Sequence, residues 1–134
     1  MNPPNDVRFN PEHQLFIWQP QGVLDTDRLS KIIAFIEYEE QETAVPFNRF
    51  TDLSLLFGID LDLDYVVKVS MHRRKAYAGH ALAKSAFYTK ASYSTYLAKV
   101  HSLLNDYTRL EVAVFSKLPD AAEWLGVPQK LLLP

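Results

Sequence analysis

The stretch that decides the fold is Arg109–Leu125, RLEVAVFSKLPDAAEWL. Leu110, Val112 and Val114 share one strand face, and Ala113 and Phe115 take the other. Both faces are largely apolar, the pattern of a strand covered on both sides in a parallel-type sheet. Ser116 is placed to cap the following helix, and Pro119 falls in its first turn, where a missing N–H costs nothing. Ala121, Ala122, Trp124 and Leu125 give that helix one apolar face, and Gly126 supplies the left-handed residue that ends it. The Trp124 indole is expected to be sealed under this last crossover as its keystone.

Upstream, the same strand-then-helix unit recurs. Lys84–Thr89 reads as a strand, with Ala86 and Tyr88 alternating against Ser85 and Phe87. A helix follows from Ser92 or Ser94, with Tyr93, Tyr96, Leu97, Val100, Leu103, Leu104 and Tyr107 on its expected inner side. Thr95, Lys99, Ser102 and Asn105 face away from that stripe. Between Ile59 and Met71 apolar residues alternate strictly, as in a strand, but over a length unusual for one. Asp60, Asp62 and Asp64 at one end, with His72, Arg73, Arg74 and Lys75 near the other and Gly79 beyond, give a helix's charge order. The segment Asp62–Ala78 is therefore read as a helix, with Val66, Val69, Arg73 and Tyr77 inward and the Arg73 stem along apolar surface.

Phe47–Leu53, after Pro46, is another strand. Before it, Pro20, Gln21 and Gly22 form a break, and Asp25 caps a helix whose Leu29, Ile32, Ile33 and Ile36 make one buried stripe. The acidic run Glu37–Glu42 lies where the helix dipole disfavours negative charge, and reads as a solvated, fraying end rather than a partner or metal surface. Val7–Asn10 and Leu15–Gln19 form a hairpin around Pro11–His13, with Phe16 and Trp18 on one face and Leu15 and Ile17 on the other. Val127–Pro134 is a tail.

A hairpin followed by strand–helix units, joined by right-handed crossovers, predicts an α/β domain over residues 1–134. Its sheet is mixed but mostly parallel, with five strands and four helices. The C-terminal segment VAVFSKLPDAAEWLGVP, the GVLD turn, the RFTDLS segment and KSAFYTKASYSTYLAKV together resemble the SpoIIAA-like family of the STAS fold. That resemblance implies a non-enzymatic binding or regulatory module that takes a protein partner or a nonpolar small molecule and touches membranes peripherally. Better-known STAS members carry a phospho-acceptor serine in an Asp-Ser-Ser/Thr-Gly motif at the helix after the third strand. Here the region reads Ile59-Asp60-Leu61-Asp62: Asp60 matches the acid, but Leu61 stands at the serine position, so the switch is not carried over. Ser54 lies nearby, away from that position.

Composition limits the remaining functions. The 134 residues carry a net charge of −2, which gives no general attraction for nucleic acid. With no cysteine there is no disulfide, thiolate nucleophile or cysteine metal site. The N-terminus has no signal pattern and no apolar run reaches the roughly 20 residues of a membrane span, so a cytoplasmic protein is expected. Glycines at positions 22, 58, 79 and 126 form no phosphate-cradling loop, and no G-x-S-x-G elbow occurs. His13, His72, His80 and His101 have no metal-ligand spacing, and neither metal nor cofactor is expected. The MHRRK cluster reads as a solvated, dipole-matched helix end.

In open parallel sheets, ligands gather outside the carboxyl ends of the strands. Those ends supply Asp25, Asp52, Ser54, Thr89, Ser92 and Ser116. Asp25, Ser92 and Ser116 are accounted for as helix caps, which leaves Asp52 and Ser54 as candidate ligand-binding residues with Arg73 as a charge partner. If the helices cover mainly one sheet face, the hairpin, the Leu131–Leu133 tail, a second subunit or an apolar ligand must cover the other, and a homodimer is the default. The readings carried forward are a binding or regulatory module, a carrier of a nonpolar molecule, and a small enzyme of unrecognised type. An apolar cavity behind the sheet favours the carrier; clustered titratable groups with displaced pKa values favour the enzyme.

Overall fold

The computed structural model describes residues 2–43, 47–79, 81–106 and 108–134. In chain order its elements are β1 (Val7–Asn10), β2 (Leu15–Trp18), β3 (Gly22–Asp25), α1 (Thr26–Thr43), β4 (Asn48–Asp52), β5 (Leu56–Asp60) and α2 (Leu63–Ala76). These are followed by β6 (Ala83–Tyr88), α3 (Ser92–Leu104), β7 (Leu110–Phe115), α4 (Leu118–Leu125) and a 3₁₀ turn at Gln129–Leu132. The main sheet has five strands in the order β1-β2-β4-β6-β7. Only the β1–β2 hairpin is antiparallel. The mixed sheet and four α-helices expected from the sequence are thus present.

A second, two-stranded parallel sheet, β3 with β5, was not expected. It accounts for the ambiguous alternation upstream of α2. Ile59 belongs to β5, and the chain turns helical only after Asp62, whose Oδ1 accepts the Tyr65 N–H at 2.8 Å. Asp25 does the same for α1, accepting the Arg28 N–H at 2.9 Å. At α4 the expectation fails, because Lys117 is the capping position and Ser116 makes no cap bond. That helix ends as expected at left-handed Gly126 (φ 71°), with the Val127 N–H bonded back to Ala122 O at 3.1 Å.

The sheet is covered on both faces. Phe16 and Trp18 pack beneath Ile32, Phe35 and Ile36 of α1, Val66 of α2 and Leu97 of α3. Leu15, Ile17, Phe50 and Ala86 on the opposite face meet Ala121, Ala122 and Leu125 of α4 together with Leu132. The tail is therefore docked. Leu132 is fully buried, and Arg8 Nη2 donates to Leu131 O at 2.8 Å and to Leu133 O at 2.7 Å. Among the described residues, α4 and the docked tail thus take the covering role that was open to a second subunit on this face.

Three packing expectations need correction. Strand β7 is an edge strand in which only Leu110 is buried, because no strand among the described residues pairs beyond it. Trp124 is consequently half-buried rather than sealed. Its ring lies 5.6 Å from that of Phe115, and Lys84 Nζ lies 5.1 Å above it while donating to Trp124 O. Helix α3 is rotated from the expected stripe: Tyr93, Tyr96 and Leu103 are exposed, and Ser94, Leu97 and Ala98 are buried. Adding His101 and Asn105 continues this inner row at helical spacing, so the polar residues rather than the tyrosines look inward. Tyrosine tolerates the outer position because its hydroxyl can leave the apolar surface; Tyr93 OH donates to Leu61 O at 2.6 Å. Pro46, His80 and Tyr107 lie outside the described residues.

Candidate functional site

Between the sheet and the layer of α1, α2 and α3 lies a cavity of about 120 Å³. Its walls are aliphatic, including Leu24 of β3, Ile32 and Ile36 of α1, Val66 of α2 and Leu97 of α3. Its floor is the sheet, where side chains two apart on a strand share a face. On β4 this places Arg49 with Thr51, and on β6 Ser85 with Phe87; Arg49 pairs with Ser85 and Thr51 with Phe87 in register.

A charged cluster lies beside the floor at the Arg49 end. Arg49 Nη2 meets Glu40 Oε1 at 2.9 Å, and Arg73 meets Glu37 at 3.1 Å and Glu40 at 3.6 Å. Tyr77 OH joins them, donating to Glu40 at 2.5 Å and accepting from Arg73 at 3.2 Å and from Arg49. Both arginine side chains are 5% exposed. Two guanidiniums face two carboxylates, so the cluster is balanced. Burial raises the Tyr77 pKa despite the opposing pull of Arg49 and Arg73, and the phenol stays protonated. The Arg49 guanidinium is flanked by the rings of Phe47 and Tyr77, at 5.5 and 5.2 Å, and its buried Nε has no hydrogen-bond partner among the described residues.

This cluster corrects the reading of Glu37–Glu42 as a wholly solvated end. Glu37 and Glu40 each lie four residues beyond an inward isoleucine, Ile33 and Ile36. The buried stripe therefore runs on into the acidic segment, and this continuation is the sequence signal that could have located it. Arg73 and Tyr77 extend the α2 stripe in the same way, and the MHRRK cluster is solvated only in part.

A second polar pair lies between α2 and α3. Ser70 is fully buried; its Oγ is 2.8 Å from Val66 O and 2.7 Å from His101 Nδ1. Burial, reinforced by Arg73 and Arg49, lowers the His101 pKa to about 4, so the imidazole is neutral at physiological pH. A serine beside a histidine resembles an activated nucleophile. The arrangement is poorly suited to that task. A base with so low a pKa has little proton affinity, and no described carboxylate hydrogen-bonds to the ring to orient it.

Of the three residues expected to form a site, Asp52 and Ser54 are brought together and Arg73 lies elsewhere. Asp52 is 2% exposed, and its Oδ1 accepts the Ser54 N–H at 2.9 Å and the Ser54 hydroxyl at 2.6 Å, an Asx turn between β4 and β5. Arg73 instead joins Arg49 at the opposite end of β4, through Tyr77 and Glu40. Of the three, only Arg73 lines the cavity. Thr89 is held by the Ser94 and Thr95 hydroxyls at the start of α3. At the position of the STAS acceptor serine, Leu61 is buried in the core. Among the described residues, no three histidine, aspartate or glutamate side chains are grouped to hold a metal ion. No described helix is long and apolar enough to cross a membrane.

Neither the models of known protein families nor the curated proteins match the sequence. Among solved structures, the chain is similar to an uncharacterized protein of the DUF3478 family with a SpoIIAA-like fold from Shewanella loihica PV-4. The TM-score is 0.57 at 16% identity, over 89% of this chain and 90% of that one. The fold is SpoIIAA-like, as the resemblance in the sequence implied.

Proposed function

We propose that this SpoIIAA-like domain is a small-molecule-binding module and that its ligand occupies the cavity between the sheet and α1–α3. The observation that carries the reading is the cavity itself, about 120 Å³ with predominantly aliphatic walls. Protein interiors pack to the density of organic crystals and leave few spaces larger than a water molecule, so a half-open apolar space of about 120 Å³ is not what packing alone produces. Apolar cavities of roughly 150 Å³ take up benzene. The weak basicity of His101 favours binding over catalysis, and the leucine at the acceptor position favours binding without a phosphorylation switch.

Titration of the full chain with benzene, followed by methyl NMR, tests the reading. Saturable shifts are expected at Ile32, Val66 and Leu97. They should vanish in Ala98→Leu, which fills space beside a cavity-lining position and should also raise the melting temperature. Absence of saturable shifts, or a loss of stability in Ala98→Leu typical of overpacking, would refute it.

A further inference from the structure

Two kinds of unpartnered polar atom stand on the cavity floor: Arg49 Nε, which is sealed in the protein, and the hydroxyls of Thr51 and Ser85, which are not sealed atoms. Thr51 and Ser85 line the floor at 7% and 3% exposure, and neither hydroxyl makes a hydrogen bond to any described residue. Polar side chains on a buried strand face are normally paired within the protein, and an alanine or valine would fill either position; these two hydroxyls instead stay accessible beside the cavity. The two lie on adjacent strands, diagonal to one another on one face, since Ser85 is in register with Arg49 and Thr51 with Phe87. Both hydroxyls therefore sit on the same face of one stretch of floor. The His101 ring lines the same cavity, in a T-shaped contact with Phe87 at a centroid distance of 5.6 Å.

The protons on His101 follow from its neighbours. Ser70 has one hydroxyl proton, and a helical serine gives it to the carbonyl four residues back, here Val66 O at 2.8 Å. His101 Nδ1 must then carry the ring proton and donate it to Ser70 Oγ at 2.7 Å. Asn105 Nδ2 comes no nearer to that nitrogen than 3.4 Å and is used by His101 O at 3.0 Å. Nε2 is left as a bare acceptor with no partner among the described residues. The floor therefore offers two hydroxyls, each able to donate, and one nitrogen able only to accept. The formal charge nearby is already cancelled, two arginines against Glu37 and Glu40, so the site calls for no ionic counterpart.

We propose that the ligand is an uncharged, ring-sized alcohol or phenol whose hydroxyl group is read jointly by Thr51, Ser85 and His101. The ligand hydroxyl donates to His101 Nε2 and accepts from Thr51 and Ser85, while its ring fills the aliphatic part of the cavity. The assignment rests on the cavity being the binding site.

Calorimetric titration of the full chain at pH 7 with phenol, anisole, benzene and benzoate tests both levels separately. Phenol should bind at least tenfold more tightly than benzene or anisole, and benzoate should bind more weakly than phenol. In the Thr51→Val/Ser85→Ala double variant, the preference for phenol over benzene should collapse while benzene affinity is kept. The ligand-free variant should keep a denaturant midpoint at or above that of the wild type, because no hydrogen bond within the described residues is lost. Equal binding of phenol and benzene overturns the role of the polar floor but leaves the cavity reading intact. Anisole matching phenol overturns the donation to His101, and benzoate binding tightest overturns the uncharged class. Failure of all four to bind removes the cavity reading itself.

Discussion

Replacing Glu40 by glutamine tests the buried charge cluster most directly. The Glu40 side chain is 11% exposed and lies 2.9 Å from Arg49 and 3.6 Å from Arg73, with Tyr77 OH at 2.5 Å. The amide keeps one oxygen for Tyr77 but no charge, and Arg73 alone retains a carboxylate, Glu37. Arg49 would be left as a buried cation facing no anion in the cluster. Breaking a buried pair from one side costs about 3–5 kcal/mol, and the retained carbonyl places this case near the lower figure. At roughly 3–5 °C per kcal/mol for a domain of this size, the melting temperature should fall by about 10–15 °C. Urea denaturation of Glu40→Gln at pH 7 gives the free energy directly, with Glu42→Gln, an exposed neighbour, as the control expected within about 0.5 kcal/mol of wild type. Removing both partners, as Arg49→Met/Glu40→Leu, should cost less than Glu40→Gln alone, since the penalty belongs to the uncompensated charge. A loss below about 1 kcal/mol in Glu40→Gln, the value of an exposed ion pair, would show that the end of α1 is solvated after all and would refute the reasoning.

Two other perturbations follow from the same side chains. The folded-state pKa of His101, about 4, lies below its unfolded value of 6.5, so the unfolded chain binds the extra proton between those limits. Its contribution is complete above about pH 6.5 and is lost as pH falls toward 4, by roughly 2–3 kcal/mol; His101→Gln should flatten this part of the pH–stability profile measured by urea midpoints, and an unchanged profile would mean that the imidazole is not buried neutral. Asp52→Ala should lower stability by about 1–2 kcal/mol through loss of the Asx turn while leaving phenol and benzene affinity unaltered; weakened binding with stability preserved would return Asp52 to the ligand site.

Backbone architecture was more legible than side-chain orientation, for a physical reason. Strand and helix periods persist over many residues, so β4, β6 and β7, the hairpin and the four α-helices could all be read from apolar spacing and capping residues such as Asp25 and Asp62. The β3–β5 pair could not. Each strand is only four or five residues long, and neither GVLD nor LFGID alternates cleanly, so pairing across the intervening α1 and β4 is what makes them strands. The observed α3 face differs from the expected one because helical spacing fits the row Tyr93, Tyr96, Val100 and Leu103 as well as the row that is buried. Burial depends on the whole row, and the row containing Leu97 and Ala98 also contains Ser94, His101 and Asn105.

The same inward polar row makes the candidate site hard to read from sequence. A search for chemistry at strand ends and in charged runs passes over a polar residue that stands where an apolar one belongs. Here the informative residues are those that interrupt buried stripes: Thr51 and Ser85 on the sheet floor, Glu37 and Glu40 beyond the α1 isoleucines, Ser70, Arg73 and Tyr77 on α2, and His101 on α3. Each weakens an apolar core, and most are offset locally by a named partner, Glu40 with Arg49 or Ser70 with His101. Thr51 and Ser85 have no such offset within the described chain, although each could be replaced by an apolar residue at little cost in space. A pair of unpartnered hydroxyls beside a preformed space is what the proposed site requires, and under that proposal the specificity of the domain would rest on its sheet floor rather than on its charged surface.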